Sequence, residues 1–330
     1  MRKLVAINII IILTILISLE LIIRKLNIIS LQGYDPNFFI RESNITLNNP
    51  NTSLIVAGKK ARIDKFGFRV PIKDLNKNFD NSILVLGDSV SFGFGVNEEK
   101  SFVGLLRNKI EFNIYNSSVV GHNLESYVYV LDKFTKNKAN NVNNVIVFLC
   151  LNDISSSQGV LNKEDLRTSY KSKDNFFVTF LKNDLFLKIN FFMREKSALF
   201  VLIKSFSTNP VKRHYGYMYS KYEKKNLTLN FLNQIANIKK ISEERKIKIN
   251  FVLLPYAYQV INNCEEEYLK PQQIIKIIFD KLSIKLNDLT PYFCQYHDKK
   301  SLFLAYDPVH LSNIGHQFVN RLIIENKIIK

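Results

Sequence analysis

The start of the chain is dominated by one long apolar segment. Leu4 to Ile23 is almost entirely aliphatic, two basic residues flank it on each side, and Glu20 is its one charged residue. About 20 apolar residues suffice for a helix to cross the hydrocarbon core of a bilayer, and Glu20 lies close enough to the end to reach the interface. The segment lacks the A-x-A cleavage pattern of a signal peptide and the polar face of a core helix. We therefore expect residues 1–25 to form an uncleaved, single-pass membrane anchor.

A regular alternation of apolar runs and helical patterns begins at residue 82. The apolar runs predict strands at residues 83–86, 112–116, 145–149, 247–254 and 301–304, and the helical patterns predict helices at 97–110, 124–136 and 312–327. Short, continuous apolar strands separated by helices are typical of a parallel sheet covered on both faces. The pattern therefore indicates an α/β fold, whose functional groups lie at the C-terminal ends of its strands.

Two segments do not follow this alternation. Residues 26–80 are expected to be an irregular lead-in, in which residues 66–69 form a turn bearing aromatic side chains. Residues at about 155–225 are rich in Phe, Tyr and Lys and are expected to form a helical insertion over one end of the sheet, within a domain that covers residues 81–330. Aromatic and basic side chains suit stacking on sugars and binding of anionic groups, so we expect the insertion to determine substrate specificity.

Candidate chemical groups follow the predicted strands. Ser89 follows the first strand, Gly121 the second and Asn152 the third. Asp307 and His310 lie between the last short strand and the last helix. In a doubly wound α/β fold these positions meet at one edge of the sheet. We therefore expect the five residues to form one site.

These residue types suit acyl transfer through a serine nucleophile. A serine hydroxyl needs a base to take its proton, and His310 can do this near neutral pH. Asp307, three residues earlier, is placed to fix the tautomer of the imidazole and to stabilise the imidazolium. The backbone N–H groups of Ser89 and Gly121 and the side-chain amide of Asn152 are the candidate donors to the developing oxyanion.

Four sequence blocks in this order resemble those of the SGNH (GDSL-like) hydrolase family: Gly-Asp-Ser at 87–89, Gly121, Asn-Asp at 152–153 and Asp-x-x-His at 307–310. The resemblance covers about residues 82–155 and 300–325. It implies a flavodoxin-like three-layer α/β/α sandwich that cleaves or transfers O-acyl esters without a cofactor. The chain departs from the family pattern at Val90, where the family often has Leu, and at Cys150, where it often has Gly.

Several residues compete for these roles. Ser91 is a rival nucleophile, but its segment lacks the closing glycine of a G-x-S-x-G elbow. His122 is a candidate to line the pocket, whereas His316 in the last helix is more typical of a packing or surface residue. The remaining histidines are His214 and His297. The Gly-Phe-Gly sequence at 93–95 completes no phosphate-binding loop, and no H-E-x-x-H motif is present to require a metal.

The charge balance bears on possible partners. The formal net charge is +17, from 46 Lys and Arg against 29 Asp and Glu. This excess suits an anionic surface such as lipid headgroups, acidic polysaccharide or nucleic acid. The lysines are spread along the whole chain, which is more typical of a compositional bias, and no nucleic-acid-binding motif is present. We expect no nucleic-acid partner, and the pattern indicates no particular oligomeric state.

None of the three cysteines lies in a C-x-x-C pair, which argues against a zinc knuckle or a thioredoxin-type site. Cys150 lies in an apolar run and is expected to be a buried thiol. Cys264 and Cys294 flank a predicted helix. They would form a disulfide if the domain lies outside the cytoplasm, and the alternative is two free thiols.

The motif order together with the anchor predicts a membrane-bound serine esterase. We expect the short N-terminal tail inside the cell and the catalytic domain outside the cytoplasm, acting on O-acyl esters of an envelope carbohydrate or lipid. An O-acyltransferase that modifies an envelope polysaccharide would use the same acyl-enzyme and is the first alternative. A non-catalytic, membrane-tethered binding protein on the same fold is the second.

Overall fold

The centre of the structure is a sheet of eight strands. The computed structural model describes residues 2–26, 28–73, 79–137, 141–155 and 184–329. The strands in these ranges are β1 (Phe39–Glu42), β2 (Ile45–Asn48), β3 (Ser53–Val56), β4 (Lys59–Ile63), β5 (Arg69–Val70), β6 (Ser82–Leu86), β7 (Asn113–Asn116), β8 (Val142–Leu149), β9 (Lys248–Leu253) and β10 (Leu286–Asp288). The helices are α1 (Arg2–Lys25), α2 (Ser89–Phe92), α3 (Phe102–Arg107), α4 (Leu124–Thr135), α5 (Asp184–Lys196), α6 (Ala198–Thr208), α7 (Pro210–Tyr222), α8 (Lys225–Glu244), α9 (Ala257–Ile261), α10 (Lys270–Lys281), α11 (Thr290–Gln295) and α12 (Asn313–Glu325).

The sheet has the strand order β10-β9-β8-β6-β7-β5-β4-β3. Its first five members are parallel to one another. Numbered along the chain from β6, they stand in the order 2-1-3-4-5, which is the flavodoxin-like arrangement. Every residue of β6 is buried, as expected of a strand covered on both faces. The expected α/β fold with a parallel sheet is confirmed.

Helices form the two outer layers. The crossovers β6–α3–β7 and β7–α4–β8 run in opposite directions across the sheet, which places α3 and α4 on opposite faces because such connections are right-handed. Helix α12 packs on α3, and helix α8 packs on α4. The main hydrophobic core therefore lies on both sides of β6 and β8.

The fifth parallel strand differs from the expectation. Residues 299–302 form a 3-10 helix, and Phe303 makes only an isolated bridge to Leu311, so the strand expected at 301–304 is wrong. The fifth strand is β10, which pairs with β9. Its sequence, Leu-Asn-Asp, lacks the apolar run by which the inner strands are recognised. Short, half-polar strands of this kind are typical of a sheet edge.

The lead-in segment is more regular than expected. Strands β3, β4 and β5 extend the sheet in antiparallel fashion beside β7, and β1 and β2 form a separate hairpin. Both hairpins close through two-residue turns, Ser43-Asn44 and Ala57-Gly58, in which both residues have positive φ. This is the geometry of a type I′ turn, for which Asn-Gly and Asp-Gly are the strong sequence signals. Ser-Asn and Ala-Gly are weaker signals, which explains why the pattern did not reveal the hairpins.

Two of the three expected helices of the alternating region agree closely with α4 and α12. The helix expected over residues 97–110 is interrupted. Glu98–Lys100 form a 3-10 turn, and α3 begins only after Ser101, whose Oγ accepts the Gly104 N–H at 3.0 Å. A serine in this capping position favours a new helix start over continuation of the preceding turn.

The described part of the expected insertion consists of the three helices α5, α6 and α7, while residues 156–183 lie outside the described residues. Helix α7 packs beside the end of β8. The Tyr222 hydroxyl donates to the Leu151 carbonyl at 2.9 Å, and Lys221 Nζ donates to Ser155 Oγ at 2.8 Å. These contacts place α7 next to the loop that carries Asn152.

Helix α1 is long and apolar enough to cross a membrane. Most of its side chains are exposed, and its C-terminal end packs on the rest of the chain, where Ile23 is buried against Ala198 and Val201 of α6. Away from α1, Cys264 and Cys294 are joined in a disulfide with their Cα atoms 5.9 Å apart, and Cys150 is a buried free thiol.

Candidate active site

Ser89 is the first residue of α2 and directly follows the turn after β6. Asp88 caps this helix, since its Oδ1 accepts the Val90 N–H at 2.8 Å. A Cβ on Gly87 would lie 1.9 Å from Ser91 Oγ and 3.0 Å from Ser91 Cβ, so glycine lets this turn pass close to α2. Ser91, the rival nucleophile, is fully buried behind this turn, whereas Ser89 is 9% exposed. The strand-to-helix turn therefore presents Ser89, and not Ser91, at the C-terminal edge of the sheet.

His310 joins Ser89 to Asp307. Its Nε2 lies 2.9 Å from Ser89 Oγ, and its Nδ1 lies 2.8 Å from Asp307 Oδ2. The other carboxylate oxygen, Asp307 Oδ1, accepts the backbone N–H groups of Val309 and His310 at 2.9 and 2.7 Å. Three side chains from opposite ends of the chain thus form one continuous hydrogen-bonded series.

Charge and burial at this pair favour an ionised carboxylate and make the imidazole more basic than usual. Burial disfavours a charge on His310, but the Asp307 carboxylate outweighs it and holds the pKa of His310 above its usual value. Burial acts to raise the pKa of Asp307, but the neighbouring imidazole and the two backbone N–H groups hold that pKa below its usual value. Asp307 is therefore ionised at neutral pH, and His310 can take a proton from a nearby hydroxyl.

Phe94 covers the imidazole. The two rings are stacked with their centroids 4.3 Å apart and their planes 28° apart. Gly93 and Gly95 on either side have φ values of 86° and 78°, a region that glycine enters without steric cost. The Gly-Phe-Gly sequence therefore serves to lay an aromatic ring on His310, which restricts the orientation of the base.

Arg69 supports the turn that carries Ser89 from behind. Its guanidinium is buried and donates to the carbonyl oxygens of Phe92, Gly93 and Val96, with the last two at 2.7 and 2.8 Å. These carbonyls lie at the C-terminal end of α2 and just beyond it, where a helix leaves acceptors without intrahelical partners. Burial lowers the pKa of Arg69 to about 10, so it stays charged at neutral pH. The sequence pattern predicts only an aromatic turn at residues 66–69 and indicates no role for Arg69.

The side chain of Asn152 is held at both ends. Its Nδ2 donates to Asp88 Oδ2 at 2.8 Å, and its Oδ1 accepts the Tyr256 hydroxyl at 2.8 Å. One N–H of the amide therefore remains for a further acceptor. Asp88 thus links Asn152 to the turn that carries Ser89.

The backbone around Asn152 does not need a glycine at position 150. Cys150 has φ −125° and ψ 167°, an extended conformation open to any residue. Asp153 Oδ2 accepts the Cys150 N–H at 2.7 Å, and the Tyr127 hydroxyl donates to Asp153 Oδ1 at 2.8 Å. The departure from the family pattern at Cys150 is therefore compatible with an ordered loop.

Gly121 is less closely tied to this network. It lies in an exposed turn after β7, with φ 85°, and the His122 N–H closes the turn on the Val119 carbonyl at 3.1 Å. This is the glycine position of a type II turn. Among the described hydrogen bonds, none joins Gly121 to the triad, so its role in an oxyanion hole stays a prediction.

The other histidines differ in their relation to the site. His122 is buried with Nε2 2.5 Å from the Thr46 carbonyl, and burial lowers its pKa to about 4, so it ties this turn to β2. His316 is buried against Phe102 in the α3–α12 layer. His214 of α7 stacks on Tyr256, the residue that holds Asn152, with ring centroids 5.5 Å apart. His214 therefore borders the site, and its place in an aromatic, helical segment was the one sequence signal for it.

Several solved structures are similar to this chain. A member of the lipolytic protein G-D-S-L family from Veillonella parvula DSM 2008 is 14% identical, with 74% of this chain and 97% of that chain covered and a TM-score of 0.42. TesA is 12% identical, with 75% and 99% covered and a TM-score of 0.42. The psychrotrophic esterase EstA from Pseudoalteromonas sp. is 13% identical, with 74% and 95% covered and a TM-score of 0.38. The first of these proteins is described as a member of the family that the motif blocks resemble.

No family model matches the sequence. No curated protein matches it either. In the ranges that the structure describes, no group of three or more His, Cys, Asp or Glu side chains is placed to hold a metal ion.

Proposed function

We propose that the protein is a membrane-anchored serine ester hydrolase in which Ser89 is the nucleophile, His310 the general base and Asp307 the residue that orients the base. The observation that carries the proposal is the hydrogen-bonded series Ser89 Oγ–His310 Nε2 and His310 Nδ1–Asp307 Oδ2, at 2.9 and 2.8 Å. Distances of about 2.6–3.2 Å between nucleophile, base and orienting group are those of an activated serine.

The reaction proceeds through an acyl-enzyme. His310 takes the proton from Ser89 as Oγ attacks the ester carbonyl, and it then gives that proton to the departing alcohol. Water enters, loses a proton to His310 and attacks the acyl-enzyme, which releases the carboxylic acid and restores the Ser89 hydroxyl. Asp307 stays ionised throughout and stabilises the imidazolium.

Three donors are proposed for the negative charge that develops on the carbonyl oxygen. They are the backbone N–H groups of Ser89 and Gly121 and the second N–H of the Asn152 amide. The fixed amide of Asn152 supports its part in this set, because a donor oriented before the reaction costs no reorganisation in the transition state. The bonds from Asp88 and to Tyr256 provide that orientation.

We further propose that the substrate is an O-acylated carbohydrate or lipid of the cell envelope, with α1 as the anchor and the catalytic domain outside the cytoplasm. The length and apolar character of α1 support the anchor. The Cys264–Cys294 disulfide supports the extracytoplasmic side, since disulfides persist in oxidising compartments.

The test uses the full chain in detergent and a short-chain p-nitrophenyl ester. Ser89→Ala should abolish hydrolysis and covalent labelling by a fluorophosphonate probe, whereas the matched variant Ser91→Ala should retain both. Labelling of wild-type protein that maps to another serine, or full activity of Ser89→Ala, contradicts the assignment. If a sugar acceptor is supplied together with water, an acylated sugar as the main product would identify a transferase instead.

A further inference from the structure

Helices α5 and α6 expose large apolar side chains on the outside of the molecule. Ile189 and Phe192 of α5 and Ile203 and Phe206 of α6 are between 48% and 68% exposed. The inner face of α6 is also largely apolar, with Ala198 and Val201 buried. A helix on a water-facing surface normally carries polar residues on its outer side. We refer to Ile189, Phe192, Ile203 and Phe206 as the α5–α6 apolar surface.

The anchor helix is attached to the beginning of α6. The Glu20 carboxylate accepts the Ser197 hydroxyl at 2.9 Å and the backbone N–H groups of Ala198 and Leu199 at 2.9 and 2.8 Å. An acidic side chain is favourable at a helix N-terminus, both as an acceptor and for the helix dipole. Ile23 packs on the same turn of α6. The last turns of α1 and the first turn of α6 are therefore fixed to one another.

The segment that follows the anchor makes a second connection, to the end of α5. Arg194, near the end of α5, donates from Nε and Nη2 to Gln32 Oε1 at 2.9 and 2.7 Å. Gly33 lies so close to α5 that a Cβ there would come within 2.5 Å of the Glu195 Cβ. The junction of α5 and α6 is thus held on both sides, by α1 and by residues 32–33.

These contacts set the height of the first turn of α6 relative to a bilayer. The apolar run of α1 ends at Ile23, and Glu20 precedes it by three residues, or about 4.5 Å along a helix axis. The first turn of α6 therefore lies at the level where the anchor leaves the hydrocarbon core. Interfacial helices bury their apolar side about 5–10 Å into this same boundary.

Positive charge is present at the same level. Arg24 and Lys25 end α1 and Lys196 ends α5, where Arg24 pairs with Glu20 and Lys196 with Glu195. Long basic side chains cover apolar surface with their methylene groups and place the cation among lipid phosphates. Apolar side chains flanked by cations are complementary to an anionic bilayer surface.

We propose that the α5–α6 apolar surface lies in the headgroup boundary of the membrane, next to the anchor, and faces lipid. The inference rests on the proposed membrane insertion of α1. It has a direct consequence for the site, because Phe206 contacts Tyr306, the neighbour of Asp307, with ring centroids 5.2 Å apart. The lipid-facing surface therefore adjoins the triad, and esters carried in the bilayer reach Ser89 without leaving the membrane surface.

The absence of tryptophan from the sequence permits a direct test. Four single-tryptophan variants of the full chain are placed in vesicles of phosphatidylcholine and phosphatidylglycerol, with or without bromine on the acyl chains, which quenches nearby indole. Phe192→Trp and Phe206→Trp report on the surface, and Leu13→Trp in α1 is the positive control. Ile324→Trp is the matched exposed control. Helix α12 starts shortly after His310, at the C-terminal edge of the sheet, and Ile324 lies about 16 Å further along the helix axis.

We expect brominated lipid to remove most of the emission of the Phe192→Trp, Phe206→Trp and Leu13→Trp variants and to leave that of Ile324→Trp unchanged. Unquenched emission at both 192 and 206, with Leu13→Trp quenched, overturns the inference while the anchor stands. A blue shift at 192 or 206 that grows with protein concentration and ignores bromine identifies a second copy of the chain as the occupant and also overturns it. Failure of Leu13→Trp to be quenched rejects anchor and surface together, and fluorophosphonate labelling of Ser89 still tests the catalytic proposal separately.

Discussion

Replacement of Asp307 by asparagine should disable His310 through its tautomer. Asp307 Oδ1 accepts two backbone N–H groups, from Val309 and His310. An asparagine at this position keeps both bonds only if its carbonyl oxygen stays there, which turns its NH2 group toward His310 Nδ1. Nδ1 must then accept a hydrogen bond, and the single proton of the neutral imidazole moves to Nε2. That nitrogen faces Ser89 and can no longer take its proton.

The size of the decrease in kcat depends on the free energy needed to flip the introduced amide. A flip of the amide would restore the correct tautomer, but it would aim NH2 at two N–H donors and lose two hydrogen bonds, at about 1–3 kcal/mol each. A total of about 2–6 kcal/mol corresponds to a loss of about 30-fold to more than 10⁴-fold in rate. Loss of the tautomer-fixing carboxylate in a serine triad costs about 10⁴-fold, so we expect a decrease in kcat near the upper end of this range.

The assay is kcat for a p-nitrophenyl ester as a function of pH, with Asp280→Asn on the exposed side of α10 as the matched control. In the wild type, activity requires neutral His310, so it should rise with pH through the raised pKa of that residue. The variant loses the carboxylate that raises this pKa, so its remaining activity should have a midpoint at lower pH. A kcat within about tenfold of wild type, with an unshifted midpoint, would refute the reasoning.

Three further predictions concern the Asn152 amide, the disulfide and Arg69. Asn152→Ala should lower kcat by about 10²–10³-fold if the amide stabilises the oxyanion. Tyr256→Phe should lower kcat less, because the Asn152 amide is still present as a donor. Equal decreases in kcat for the two variants would contradict this prediction. Replacement of Cys264 and Cys294 together by serine should lower the free energy of unfolding by about 3–4 kcal/mol in denaturant titrations, since the bridge closes a loop of about 30 residues, and an unchanged midpoint would show that the bridge does not constrain the unfolded chain. Arg69→Met should lower stability by about 3 kcal/mol or more, since it removes charged hydrogen bonds to three buried carbonyls, and it should reduce kcat through α2; a thermal melt and kcat both equal to wild type would exclude that role.

The parallel part of the sheet could be predicted from the sequence because its strands are buried on both faces. The apolar runs at 83–86 and 145–149 fall within β6 and β8, the strands on which the core is built. The edge strand β10 and the strands of the lead-in were missed because one or both of their faces need no apolar residue. Hydrophobic runs therefore identify the strands in the interior of a sheet and miss strands at its edges.

The candidate site also contains residues that the sequence identifies and others that only the structure identifies. Ser89, Asp307 and His310 could be named because their chemistry demands particular residue types in a particular order, and the structure places them within hydrogen-bonding distance. Phe94 and Arg69 act by packing and by satisfying carbonyl oxygens, tasks that many residue types perform elsewhere. Only the folded chain shows that a stacked ring and a buried guanidinium support His310 and the turn that carries Ser89.

Arg69 has a consequence for where the protein could be divided. It belongs to the antiparallel extension, yet its guanidinium satisfies the carbonyls of Phe92, Gly93 and Val96 at the end of the helix that Ser89 begins. A truncated chain starting at residue 79 would retain all three triad residues but leave those acceptors unpaired beneath the nucleophile. The smallest unit that keeps the turn of Ser89 supported therefore includes β5 and its neighbour β4, and any exchange of the parallel sheet with another protein would have to carry that extension along.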